Sequence, residues 1–345
     1  MARRLAAVIG AGGWGTALAC VLSRAGHDVR LWARRPDFAA LLAQSRVNET
    51  YLPGVTLPAG ITVESDIAVS LRRAGLVVLA TPTQALREVL TAARPSLEPD
   101  ALLVSAAKGI ETATLLRPSE VLAATCGPGH QTLSLSGPNF AAEVGRELPA
   151  AAVLASDSLA AAAAAQGWFA GQRTFRVYTH DDLIGVELGG ALKNVIAIVA
   201  GISDGLGLGL NARAAIITRG LAEITRLGVA MGAKPLTFAG LSGLGDLVLT
   251  CTGSLSRNQW AGRELGSGRA AADIVASTPM VIEGISTTQA AWTMAQEHGV
   301  EMPLTAELHQ VLFAAKPVRE VVNSLLSRVL RDERDHTDGI RPTGV

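Results

Sequence analysis

The chain has 345 residues, of which 49% are hydrophobic and 17% charged, and its 30 Lys plus Arg balance its 30 Asp plus Glu. This composition excludes a disordered chain, and zero net charge removes the chain-wide basic field that nucleic acids and anionic membranes attract. Three scattered cysteines, Cys20, Cys126 and Cys251, make neither a disulfide framework nor a zinc cluster.

Arg3 and Arg4 precede an uncharged run from Leu5 to Leu22 that imitates an export signal or a membrane span. Gly10, Gly12, Gly13 and Gly15 interrupt the continuous apolar helix that either would need, so a cytoplasmic location is expected. The run instead divides into a strand at 5–9 and a helix at 16–25. Further strands are expected at 28–32, 76–80, 101–105, 132–135 and 173–177, with helical patterns between most of them. Short apolar strands alternating with helices predict a parallel sheet covered on both faces. From Asp181 onward the patterns are long and helical, with no convincing strand. Thr179-His180-Asp181-Asp182 has the spacing of a capping box, which would start a helix running through Val199. Gly185, Gly189 and Gly190 inside that helix suggest close packing against a neighbour. The expected fold is an α/β Rossmann-type doubly wound parallel sheet followed by an all-α domain. The boundaries are 1–179, 180–330 and a polar tail at 331–345.

Gly10-Ala11-Gly12-Gly13-Trp14-Gly15 fits G-x-G-x-x-G directly after a strand and at the opening of a helix, the context a dinucleotide site requires. Its glycines give a tight turn, a close approach to pyrophosphate and tight helix–strand packing, which assigns the first domain to dinucleotide binding. The second strand ends in Arg34-Arg35 with no acid for a ribose 2′-hydroxyl. The arginines favour NADP(H), or tolerance of both NADP(H) and NAD(H), unless they are simply a solvated strand end.

Chemistry beyond the nucleotide is concentrated in three places. Lys193 lies in an otherwise apolar helical stretch, where desolvation should pull its pKa toward neutrality and suit it to proton exchange with a carbonyl oxygen. Gly240-Leu241-Ser242-Gly243-Leu244-Gly245-Asp246 sets one carboxylate in a glycine-rich loop, to pair with a catalytic Lys, to bind substrate hydroxyls or to cap a helix. Ser256-Arg257-Asn258 combines a guanidinium with neutral hydrogen-bonding groups and suits a phosphate dianion, while Lys108 adds a cation at a strand's carboxyl end. No HExxH, Cys/His cluster or GxSxG elbow occurs, so no metal is expected and the chemistry rests on the dinucleotide.

These segments resemble the bacterial-type NAD(P)-dependent glycerol-3-phosphate dehydrogenases. The likeness runs from about residue 5 to 315 and is carried by GAGGWGTALA (10–19), NETYLPG (48–54), ATPTQALREVL (80–90) and AAKGIE (106–111). It continues through SGPNFAAEV (136–144), the long stretch 185–228 that includes LKNVIAIVAGISDGLGLGLNARAA, GLSGLGDLVLTCTGSLSRN (240–258) and VIEGISTT (281–288). The resemblance implies reversible reduction of dihydroxyacetone phosphate to sn-glycerol 3-phosphate, which feeds glycerophospholipid synthesis. It implies Lys193 as the acid/base, and Lys108, Gly137, Asn139, Lys193, Asp246, Ser256, Arg257 and Asn258 as substrate contacts. Gly13, Trp14, Arg34, Arg35, Lys108, Ala141, Arg257, Val281 and Glu283 would contact the dinucleotide, together with the glycines of the 10–15 loop. Asn139 departs from the usual Ser or Thr and has a different reach.

The expected partner is this small-molecule substrate, with no nucleic acid and no membrane insertion; a homodimer is compatible with the sequence and not specified by it. The residue reading and the resemblance agree on a nucleotide domain, a helical substrate domain and a Lys-centred cleft between them. A β-hydroxyacid dehydrogenase or ketopantoate reductase would share the first half and a helical second half but would not be expected to carry GLGDL and SRN together, and a non-catalytic dinucleotide sensor would keep G-x-G-x-x-G without needing a Lys in an apolar helix.

Overall fold

A computed structural model describes residues 4–127 and 129–328. The tail expected at 331–345 lies outside the described residues. The chain forms two units: one takes in the residues up to Lys108 and then Leu116–Leu183, the other Gly109–Leu115 and the chain from Ile184 onward. A single boundary near 179 therefore leaves out the excursion Gly109–Leu115.

The first unit is built on ten strands: β1 (Leu5–Ile9), β2 (Asp28–Trp32), β3 (Val47–Asn48), β4 (Leu52–Thr56), β5 (Ile61–Glu64), β6 (Leu76–Leu79), β7 (Leu102–Ser105), β8 (Thr132–Ser136), β9 (Ala150–Ala155) and β10 (Phe175–His180). Eight form one sheet in the order β10-β9-β8-β7-β6-β1-β2-β5, while β3 and β4 pair as a separate antiparallel ribbon. Helices α1 (Gly13–Arg24), α2 (Pro36–Ser45), α3 (Ile67–Leu71), α4 (Leu86–Ala93), α5 (Pro118–Cys126), α6 (Ala141–Gly145) and α7 (Leu159–Gln166) connect the strands.

Strand β1 explains the layering. Ala6 and Val8 join a core with Ala17, Leu18, Val21 and Leu22 of α1, whereas Ala7 and Ile9 join another with Leu86, Leu90 and Val121 of α4 and α5. Alternate residues thus face opposite helical layers, which is why these strands read as continuous apolar runs.

The expected all-parallel sheet needs one correction. β8 and β9 pair antiparallel, with Leu135 opposite Leu154. β9 reads Ala-Ala-Ala-Val-Leu-Ala and has no local strand signature, because alanine is the strongest helix former. Its place between β8 and β10 decides its conformation.

The second unit is helical: α8 (Leu183–Gly205), α9 (Gly209–Ala230), α10 (Asp246–Thr252), α11 (Arg257–Gly266), α12 (Ala271–Ala276), α13 (Glu283–Glu297), α14 (Pro303–Phe313) and α15 (Val318–Leu326). α8 is long and apolar enough to cross a membrane by length and composition, but 94% of its most apolar window is buried and it is the unit's core helix. Leu188, Leu192, Ile196 and Val199 recur along it at helical spacing and pack with Ile224, Leu227, Leu247 and Leu265 of its neighbours. The expected capping box is also corrected: Thr179 and His180 belong to β10, and α8 starts at Leu183. The backbone at 179–180 is held by the ladder to β9, so Thr179 is not available to cap.

Candidate active site

In the first unit β1, β2, β6, β7 and β8 all run parallel, so the loops that follow them share one edge of the sheet. This is where open parallel sheets bind ligands. Gly10 follows β1 with φ of +117°, a conformation that L side chains rarely adopt. A Cβ on Gly15 would lie 1.9 Å from the Gly10 carbonyl oxygen, and one on Gly13 would lie 2.5 Å from that of Tyr51. Both glycines are therefore dictated by the chain's own backbone.

Gly12 is different. A Cβ there would meet nothing within 4 Å, so nothing in the chain explains the missing side chain. It caps α1 without a side-chain hydrogen bond, and the indole Nε1 of Trp14 is buried with no protein partner. Open space above backbone amides at a helix N-terminus fits a pyrophosphate. Asn48 braces this loop: its Nδ2 donates to the Ala11 carbonyl (3.0 Å) and to Thr16 Oγ1 (2.8 Å), while its Oδ1 accepts from Tyr51 N. Asn48 lies in NETYLPG (48–54), far along the chain from the glycine motif at 10–15, and only the fold brings the two together.

Arg34 and Arg35 follow β2 and are exposed, and Arg35 lies 5.5 Å from the centroid of the Phe38 ring. Lys108, beyond β7, donates from Nζ to the Gly137 carbonyl (2.8 Å), which joins the loops after β7 and β8. Ala141 opens α6, where its Cβ would lie 3.7 Å from a Cβ on Gly13. Asn139 gives its Nδ2 hydrogens to the Pro138 and Ala151 carbonyls, 2.9 Å each. Only its oxygen remains, an acceptor that is buried without a protein partner and cannot serve a phosphate dianion.

In the second unit Lys193 projects from α8 to meet Asp246 and Thr250 on α10. Its Nζ donates to Asp246 Oδ1 and, at 2.8 Å, to Thr250 Oγ1. All three residues are buried: Lys193 is 6% exposed and Asp246 1%. The loop before Asp246 is one wide turn, Leu241–Gly245, which runs directly into α10. Asp246 therefore lies inside a continuous helical segment, and its carboxylate turns to the lysine. The amine therefore sits out of water against a carboxylate and a hydroxyl, its hydrogens aimed by both. Thr250 was not singled out in the sequence, although i, i+4 spacing from Asp246 puts both on one face.

The Ser256-Arg257-Asn258 segment starts α11. Ser256 is the N-cap, its Oγ accepting from Gln259 N at 3.2 Å. The Asn258 amide is engaged at both ends: Nδ2 donates to Asn194 Oδ1 (2.8 Å) and Oδ1 accepts from Gly284 N (3.0 Å). Arg257 alone of the three is exposed, and one arm of its guanidinium donates to the Val281 carbonyl at 2.9 Å. Glu283 opens α13 two residues later and acts electrostatically on Arg257. Among the described residues no group of three or more His, Cys, Asp or Glu side chains is placed to hold a metal ion.

The chain has similar counterparts among known proteins. Residues 6–162 and 182–323 fit the N-terminal and C-terminal models of the NAD-dependent glycerol-3-phosphate dehydrogenases. The chain is 51% identical over 329 residues to glycerol-3-phosphate dehydrogenase [NAD(P)+] of Geobacter metallireducens, which covers 95% of this chain and 98% of that one. It is 50% identical over 335 residues to the enzyme of the same name in Geobacillus kaustophilus, covering 97% of each. The crystal structure of glycerol-3-phosphate dehydrogenase from Coxiella burnetii superposes with a TM-score of 0.90 at 40% identity, over 94% of this chain and 99% of that one. With both halves matched and half of all positions shared along almost the whole length, the chain belongs to the NAD-dependent glycerol-3-phosphate dehydrogenase family.

Proposed function

We propose that this chain interconverts dihydroxyacetone phosphate and sn-glycerol 3-phosphate with Lys193 as the general acid and base. The observation that carries this reading is the buried Lys193–Asp246–Thr250 cluster in a chain half identical to named dehydrogenases. A dinucleotide, when bound, would supply the hydride, chemistry that no side chain supplies. In the reducing direction the charge that develops on the carbonyl oxygen is neutralised by a proton from Lys193 Nζ. Asp246 and Thr250 fix the direction of that nitrogen. In the oxidising direction neutral Lys193 takes the hydroxyl proton.

Gly10, Gly12, Gly13, Trp14 and Gly15 would hold the pyrophosphate region, with Arg34 and Arg35 accepting a 2′-phosphate. Arg257 is assigned the substrate phosphate: one arm of its planar fork is fixed by the Val281 carbonyl, and the residue is exposed. Ser256 and Asn258 shape the turn that presents it, Asn139 holds the loop after β8, and Lys108 is a second cation for substrate. The product is the backbone of glycerophospholipids, whose synthesis the chain would supply from the cytoplasm. Three free thiols suit that reducing compartment.

The test is oxidation of NADPH followed by absorbance with dihydroxyacetone phosphate, unphosphorylated dihydroxyacetone and ketopantoate. Turnover is expected with the first at low concentration, and a preference for ketopantoate would overturn the reading.

A further inference from the structure

The position of Arg257 depends on how α11 is fixed to α8. The two helices touch through their backbones: a Cβ on Gly201 would lie 2.1 Å from the Gln259 carbonyl oxygen, and one on Gly262 2.0 Å from that of Ile198. Such a contact sets the distance between the helices. Register needs partners that recur only once, and here they are polar. Gln259, 4% exposed, donates from Nε2 to Asp204 Oδ2 at 2.8 Å. The other oxygen of Asp204 accepts both Nε (2.9 Å) and Nη2 (2.7 Å) of Arg213 on α9.

Glu187, Lys193 and Asp204 are the only charged residues on α8. Asp204 follows Lys193 by eleven residues, about three turns, so it stands within about 20° of the same face and about 16 Å along the axis. One helix therefore carries both the lysine and the carboxylate that grips the first turn of α11.

We propose that Asp204 and Gln259 are positioning residues for the reaction: they hold α11 in register on α8 so that Arg257 is presented to the substrate phosphate. This rests on the assignment of Arg257 to phosphate made above. A slip of one residue would move Arg257 by about 1.5 Å, enough to spoil a fork-shaped contact.

The experiment uses the full chain with Gln259→Met, which removes the donor, keeps the length and leaves the Asp204–Arg213 pair in place. The KM for dihydroxyacetone phosphate is expected to rise about three- to tenfold, as for one lost hydrogen bond. kcat should stay within about twofold, the NADPH KM should not move, and the preference for the phosphorylated ketone should fall by the same factor. Asp204→Asn should act in the same direction, and the double variant should be less than the product of the two. A lower melting temperature with unchanged KM, or a loss confined to kcat, would overturn the proposal. Arg257→Ala measured alongside separates the two assignments. If phosphate preference survives there, the phosphate assignment fails, and any shift in Gln259→Met does not run through Arg257. If preference collapses there while Gln259→Met is unchanged, the positioning role alone is overturned.

Discussion

In the first unit the candidate pyrophosphate site belongs to the backbone: a turn at Gly10, open space above Gly12 and a helix end, with Asn48 bracing the loop from one side. In the second unit the candidate groups are side chains on separate helices, and Lys193 meets Asp246 across 53 positions of sequence. A backbone site is specified by where side chains are missing, so it is local and tolerant of surrounding substitutions. A side-chain site is specified by helix packing, so it fails when a distant contact fails.

Four substitutions sharpen that contrast. The largest effect belongs to the side-chain site: Lys193→Met should cut turnover by about 10²–10⁴-fold while NADPH affinity, measured by fluorescence titration, barely changes. Replacing Arg34 and Arg35 together by Ala should weaken NADPH by about 1–3 kcal/mol and leave NADH nearly untouched. Equal losses for the two cofactors in a comparison of Michaelis constants would end the 2′-phosphate assignment. Gly12→Ala should leave the melting temperature of the free protein where it was, since nothing in the chain meets the added methyl. Its NADPH dissociation constant should rise by at least about tenfold, the loss of one close approach to phosphate. An unchanged dissociation constant would mean that no phosphate approaches this glycine.

A further effect concerns stability. Glu223 on α9 is buried and accepts from Leu304 N, Thr305 N and Thr305 Oγ1 at the start of α14. Burial pushes its pKa up from 4.5 to about 7, against those three hydrogen bonds. Between those values the native state keeps a proton that the unfolded chain has released. Stability should therefore fall as pH rises from about 4.5 to 7 and level off above. Urea midpoints across that range should show a shallower fall in Glu223→Gln than in the parent chain, and identical slopes would remove this group from the pH dependence.

The same contrast governs what could be read from the residues. β1, β2 and the glycine loop are legible because each is defined within a dozen residues by apolar runs and glycine spacing. β9 is not: an alanine run becomes a strand only because β8 and β10 flank it, and its antiparallel pairing to β8 has no sequence mark. The excursion Gly109–Leu115 is equally silent. In the second unit Lys193, Asp246 and the 256–258 turn stood out by residue type and by family likeness. Their pairing with Thr250, Asn194 and Gly284 required the helices to be placed. The hydrogen bonds of Ser256 and Asn258 to Gln259, Asn194 and Gly284 were equally unmarked in the sequence.

The central claim is that the proton in the reaction passes through Lys193. Its rival is Lys108, a cation of the first unit whose Nζ donates to the Gly137 carbonyl. The deciding measurement is the single-turnover rate of NADPH oxidation with saturating dihydroxyacetone phosphate, taken side by side for Lys193→Met and Lys108→Met. The account predicts that Lys193→Met loses at least about a hundredfold in this step and that Lys108→Met, once saturated, loses less. Lys193→Met turning over within a few-fold of the parent chain, with Lys108→Met inactive, would contradict it.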